Sequence, residues 1–193
     1  LSVMVPLAAC IVLSLSLLWA YSKQYQEISH NIQVACEFDL EFKSNVDLKM
    51  YYYSIRSSYQ EEFPPEEVAD ALRVTSLLTE TTRDKDGAES IRSVAAYCHT
   101  LQQKINQMSE TESYDQRQEQ LEKNIYLLTK LIQEEMRRYI YYEGKYMSGL
   151  QAKMGRDIVV AIVVVAASVA ILVGLLLYGA FRFSNRISRS VGS

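Results

Sequence analysis

Two histidines, three cysteines and one Asp-Lys-Asp-Gly turn carry most of this chain's capacity for metal binding or catalysis, and their spacing favours neither. "DKDG" (Asp84–Gly87) has the start of a calcium loop, but it lacks the later oxygen ligands and the closing glutamate. It reads as a plain turn. His30 and His99 are far apart, and no cysteine or carboxylate joins either at metal-ligand spacing. Both read as surface or hydrogen-bonded histidines. The sequence contains no glycine-rich phosphate loop, nucleophile elbow or histidine-kinase catalytic motif. The expectation is therefore no catalytic residue, no metal site and no cofactor in this segment.

The most unusual stretch is "RRYIYYEGKYMSGL" (137–150). Arginine and tyrosine together can cradle an acid or a sugar, which makes Arg137, Arg138, Tyr139, Tyr142 and Tyr146 the candidate ligand-binding residues. The competing reading makes Tyr139, Tyr142 and Tyr146 wide core residues of a helical seam whose hydroxyls reach water. "MYYYSIR" (50–56) allows the same two readings.

Two long apolar runs bracket everything that carries charge. Val3–Tyr21 and Ile158–Phe181 contain no charged side chain. Each is long enough to cross a bilayer as a helix, which takes about 20 residues. Trp19 and Tyr21 close the first run, where interfacial aromatic anchors belong. All 23 acidic residues lie between Glu27 and Asp157, and 17 of the 20 basic ones lie between the two runs, so the middle segment is net acidic. A nucleic-acid partner would need a basic face, and none is expected. Arg182, Arg186 and Arg189 follow the second run. By the positive-inside rule they place the C-terminus in the cytoplasm; with two spans, both termini are cytoplasmic and the middle is outside. The chain does not begin with Met, and the expectation is that both ends are cut from a longer protein.

The middle segment is expected to be all-α. Its strongest breaks are "FPPE" (63–66) and "RDKDG" (83–87), with a softer one at "SETES" (109–113). Ile91, Val94, Cys98, Leu101, Ile105 and Met108 step by three and four without interruption, a heptad seam. Leu121, Ile125, Leu128, Ile132, Tyr139, Tyr142 and Tyr146 extend the pattern, broken only at Glu135. Ile28, Ile32, Ala35, Phe42, Val46, Met50 and Tyr53 give a looser stripe, and Val68, Leu72 and Leu78 a short one. Four helices follow, at about 22–61, 65–82, 88–109 and 113–157. Pro65 suits the first turn of the second helix and Gly87 the reversal after it.

A chain that leaves the membrane at Tyr21 and returns at Ile158 needs an even number of up-and-down helices. The expected architecture is thus an antiparallel four-helix bundle whose long first and last helices continue into two transmembrane helices. At about 1.5 Å per residue the outer helices span roughly 60 and 67 Å and the middle pair roughly 27 and 33 Å. The middle pair should cover only the membrane-distal half, leaving a two-helix stalk that a second copy would complete. Cys36 and Cys98 then lie roughly 20 Å apart along the axis and stay unpaired, as buried free thiols. In the second span Ala166, Ala170 and Gly174 form a small-residue face of the kind that lets helices approach closely.

The segment after the second span, "FSNRISRSVGS", resembles the first turns of a HAMP domain, through Arg186, Ile187, Ser188, Arg189 and Val191. The family usually has proline where this chain has Ser190. "NIQVACEFDLEFKSNVDLKMYYYSI" and "LTKLIQEEMRRYIYYEG" resemble the extracytoplasmic sensor of clostridial-type histidine kinases, often of the LytS/YesM type. The resemblance implies four parts: span 1–21, sensor domain 22–157, span 158–181 and relay start 182–193. Arg182, Arg186, Ile187 and Arg189 would carry the signal relay. It further implies a homodimeric two-component kinase acting on a cytoplasmic response regulator, its phosphoacceptor histidine and ATP site beyond Ser193, with a stimulus the sequence does not name. The alternatives are the same architecture on a methyl-accepting chemotaxis receptor, or a structural membrane stalk that holds a partner.

Overall fold

The computed structural model describes residues 4–55 and 66–191. The fold over these residues is helical: α1 (Met4–Ile55), α2 (Glu66–Thr81), α3 (Lys85–Ser109), α4 (Tyr114–Gln120) and α5 (Tyr126–Val191), with a π-helical turn at Leu121–Ile125 between the last two. The expected helices at 65–82 and 88–109 are present within a few residues. The expected end of the first helix, residues 56–61, and Pro65 lie outside the described residues. The chain divides into two compact units, residues 25–148 and residues 1–24 with 149–193.

In the 25–148 unit the helix ends follow from local chemistry. Asp84 takes an extended backbone (φ −71°, ψ 134°), and its carboxylate accepts the Gly87 N–H, which caps α3. Asp84 of the "DKDG" motif is therefore a helix cap. The α3–α4 turn is held by Arg117, whose Nη1 donates to the carbonyls of Thr111 at 3.1 Å and Glu112 at 2.8 Å. Arg117 is only 7% exposed, while Thr111 is half-buried and Glu112 exposed. Arg117→Ala should cost about 2 kcal/mol, the loss of two charge-assisted hydrogen bonds. Chemical denaturation of the chain in micelles measures it, and an unchanged midpoint would contradict it.

The core of this unit is contributed by α1, α2, α3, the π-helical turn and α5. All six seam residues of α3, Ile91 to Met108, are fully buried. Against them pack Ala35, Phe42, Val46 and Met50 of α1, Val68, Ala71 and Leu78 of α2, and Ile132, Met136 and Tyr139 of α5. Burying one such side chain contributes roughly 1.5–3 kcal/mol, so these residues dominate the stability. Hydrogen bonds tie α1 to the last helices as well: Thr129 Oγ1 donates to Asp47 at 2.7 Å, and Gln133 Nε2 to the Asp39 carbonyl at 3.0 Å.

Two expectations need correction. The first concerns the seam after Leu121. The buried residues there are Leu121, Ile125, Thr129, Ile132, Met136, Tyr139 and Glu143. Leu121, Ile125, Ile132 and Tyr139 are buried as expected, whereas the expected seam residues Leu128 and Tyr142, and Glu135 at the expected interruption, are only half-buried. At the π-helical turn the Tyr126 N–H bonds to the Leu121 carbonyl five residues back. Beyond it the buried positions follow the 3.6-residue period of a straight helix, whereas the expected seam assumed a 3.5-residue heptad, so the two coincide at Ile125, Ile132 and Tyr139 and differ between them. The interruption at Glu135 disappears, because Met136 fills that layer.

The second concerns the reach of the middle helices. Lys49 on α1 pairs with Glu67 at 2.8 Å, and Glu27 on α1 pairs with Arg83 at 3.0 Å. The α2–α3 turn thus lies beside Glu27, six residues along α1 from Tyr21. The middle pair covers more of α1 than its distal half because α2 begins alongside Lys49, well below the assumed tip.

Cys36 and Cys98 are both free thiols, as expected, with Cys98 buried and Cys36 only half-buried. Desolvation pushes the Cys98 thiol up to about 12. A maleimide at neutral pH should modify Cys36 in the folded chain and leave Cys98 unmodified until denaturant is added, because the thiolate is the nucleophile. Peptide mapping reads this directly. Equal labelling of both would contradict the packing.

In the other unit, Tyr21 of α1 donates a hydrogen bond to Asp157 of α5. Beyond that bond, Leu17, Leu18, Ala161 and Val165 line an apolar groove of about 380 Å³. The outward faces are exposed hydrocarbon, from Ile11 to Trp19 on α1 and from Val159 to Phe181 on α5. The C-terminal helix contains a stretch long and apolar enough to cross a membrane, and none of that stretch is buried within the protein. Membrane association follows, since so large an apolar surface is not stable in water.

Candidate functional site

A cluster of polar side chains, with Asn31, Tyr139 and Glu143 buried, gathers beneath the α2–α3 turn. α1 contributes Asn31, the end of α2 and the turn contribute Thr81, Thr82 and Asp84, and α5 contributes Tyr139 and Glu143. Three helices converge there because Gly87, in the first turn of α3, has no side chain. A Cβ placed on Gly87 would sit 3.0 Å from Glu143 Oε1 and 3.6 Å from Asp84 Oδ2. The carboxyl of Glu143 therefore occupies space that any other residue at position 87 would contest.

The hydrogen bonds of this cluster are only partly complete. The Tyr139 and Thr82 hydroxyls lie 3.0 Å apart, and Thr81 Oγ1 donates to Asn31 Oδ1 at 3.1 Å. Asn31 is 2% exposed and Glu143 is 1% exposed. Asn31 Nδ2 and Glu143 Oε1 have no hydrogen-bond partner among the described residues. A buried polar atom without a partner costs on the order of 1–3 kcal/mol, more if charged. Burial accordingly pushes the Glu143 carboxyl up to about 7, with the nearby Asp84 carboxylate acting in the same direction. Burial also pushes the Tyr139 phenol up to about 12; the Thr82 and Asn31 groups oppose this shift and Glu143 adds to it. Glu143 is thus a carboxyl that can change charge near neutrality.

The sequence-derived candidates separate onto different faces. Tyr139 is wholly buried in the cluster. Arg137 points to α1, where its Nε donates to both carboxylate oxygens of Asp39 at 3.0 and 3.1 Å. Arg138 turns to Glu135 at 2.7 Å. Arg138 and Tyr142 do come together, lining a shallow polar groove with Asp86, Glu89, Ser90 and Glu135. Tyr146 is half-buried one turn further along α5. Arg182 is exposed, and Arg186, Ile187 and Arg189 fall within the last turns of α5. His30 and His99 are both exposed.

Glu143 is the residue that sequence reasoning left at the margin. A signal was available: it follows Thr129, Ile132, Met136 and Tyr139 in steps of three and four. Reading it required the 3.6-residue helical period in place of the heptad.

No protein-family model matches this chain, and neither a curated protein nor a solved structure does. The functional argument therefore rests on the residues themselves.

Proposed function

We propose that this chain is the extracytoplasmic sensor and transmembrane relay of a two-component sensor histidine kinase whose catalytic part lies beyond Ser193. The observation that carries the reading is α5, which runs from Tyr126 to Val191 without interruption. Such a helix joins core residues such as Ile132 and Tyr139 to the apolar stretch 158–181 and to the arginine-rich segment 182–191. In this reading residues 25–148 form a four-helix bundle outside the membrane, α1 and α5 both cross it, and both termini are cytoplasmic. Two chains associate, and the cytoplasmic partner is a response regulator. Helices transmit small displacements well because their backbone hydrogen bonds resist shear, and packed interfaces hold two discrete arrangements, so a small shift becomes a switch.

The test is the coding sequence downstream of Ser193 together with phosphotransfer by its full-length product. A helix bearing a phosphoacceptor histidine, followed by an ATP-binding domain that labels this histidine in membranes, is the expected result. A long heptad hairpin in that place would make the chain a chemoreceptor and overturn the kinase reading.

A further inference from the structure

We propose that Glu143 is a proton-operated latch, its neutral carboxyl allowing the α2–α3 turn to close on α5 and its ionised form releasing it. The inference stands on geometry. The carboxyl is sealed by Gly87 at a distance where a single added carbon would touch it, and its Oε1 has no hydrogen-bond partner among the described residues. The charge nearest to it is of the same sign. Asp84 is held in place as the cap of α3, accepting the Gly87 N–H at 2.9 Å.

The other elements around the carboxyl place charge as follows. On α1, Asn31 is neutral, and Glu27 pairs with Arg83 of the turn at 3.0 Å. On α3, Asp86 lies beside Gly87 and lines the neighbouring groove with Glu89. On α5 itself, Tyr139 is neutral, and Arg138 is paired with Glu135 at 2.7 Å. Arg83 and Arg138 are thus engaged with other acids, Lys85 of the turn and Lys145 of α5 are exposed, and the charge that acts on the carboxyl is that of Asp84. A second negative charge in this place gains solvation only if the turn lifts and admits water. The neutral form gains nothing by opening.

The sign follows from the direction of the shift. Burial raises the carboxyl from an ordinary 4.5 to about 7. The closed turn then binds a proton that the open turn releases, so closure is strongest below the ordinary value and weakens as pH rises toward 7. Above that both forms are ionised and the dependence ends. Opening of the turn should increase by about tenfold per pH unit between roughly pH 5 and 7 and then level off.

Hydrogen exchange at the Gly87 and Ala88 amides measures this opening in the whole chain in lipid nanodiscs, after correction for the intrinsic pH dependence of exchange. Both amides bond to Asp84, through its side chain and its backbone carbonyl, so both exchange when the turn lifts. Glu143→Gln is expected to hold them at the low-pH level throughout the range. Asp84→Asn keeps a good helix cap but removes the facing charge, so the rise should level off at lower pH and reach a smaller total. A wild-type profile without pH dependence, or a Glu143→Gln profile that keeps it, overturns the proposal. If Glu143→Gln does not fold, infrared difference spectra of the wild-type chain decide: a protonated carboxyl band lost near pH 7 supports the latch, and its absence overturns it. These readouts concern residues 25–148 only, so they stand or fall independently of the kinase reading.

Discussion

Insertion of four residues after Tyr146 is expected to lock the output of the full-length protein, on or off, while leaving membrane insertion and association intact. At 3.6 residues per turn, four residues advance the helix by about 40° beyond a full turn. Everything from Met147 onward is rotated by that amount relative to Tyr139 and the core above it, and pushed about 6 Å along the axis. If α5 relays displacement as a rigid rod, the segment 182–191 is presented in one fixed arrangement whatever the stimulus. Response measured as stimulus-dependent phosphotransfer should disappear. A response that survives the insertion would exclude rigid transmission through this helix.

The glycines of α5 sharpen that test. Gly144, Gly149 and Gly155 are spaced along the helix just ahead of the apolar stretch, and a Cβ at any of them would meet nothing within 4 Å. Close packing within this chain therefore does not require them. Each costs about 1 kcal/mol of helix propensity relative to alanine. Replacing all three by alanine should stiffen α5 without a steric penalty, and it separates a compliant joint from a rigid rod. A joint predicts an altered response, whereas a rod predicts an unchanged one.

Met136→Ala is expected to destabilise the 25–148 unit by about 3 kcal/mol, whereas Glu135→Ala should cost less than about 1 kcal/mol. Met136 is fully buried among the core residues of α5 and its neighbours. Its truncation loses both the transfer free energy and the contacts around the cavity left behind. Glu135 is a partner of Arg138 at the edge of a solvent-filled groove, and the arginine side chain is 67% exposed, so water screens that pair. The two residues are adjacent in sequence, yet the helix frame assigns them to different environments. Denaturant unfolding of the two variants checks the assignment. Similar losses, or a larger loss for Glu135→Ala, would mean that Met136 does not face the core.

The seam of α3 was legible from the sequence in full. Six apolar residues at uninterrupted three-four spacing leave one face that can be buried, and all six are fully buried. The cap was not: Gly87 was expected in the reversal ahead of a helix starting at 88, whereas Asp84 caps α3 and Gly87 lies in its first turn. The two apolar runs needed only length and the absence of charge to be recognised.

The second half of the seam was legible at Ile125, Ile132 and Tyr139 but not between them, where the 3.6-residue period of a straight helix buries Thr129, Met136 and Glu143 in place of Leu128, Glu135 and Tyr142. The candidate site divided in the same way. Tyr139 was identifiable as a wide seam residue, whereas the partners of Arg137 and Arg138 depend on which helix each faces. Glu143 is the limiting case. A lone carboxylate defaults to the surface, because burying its charge is expensive. What puts it inside is the arrival of a turn from two other helices, with a glycine at the point of contact. Sequence patterning sets how far each helix extends and which stripe it can bury. Only the packed structure decides which polar groups another element traps, because that depends on the register between segments distant in sequence.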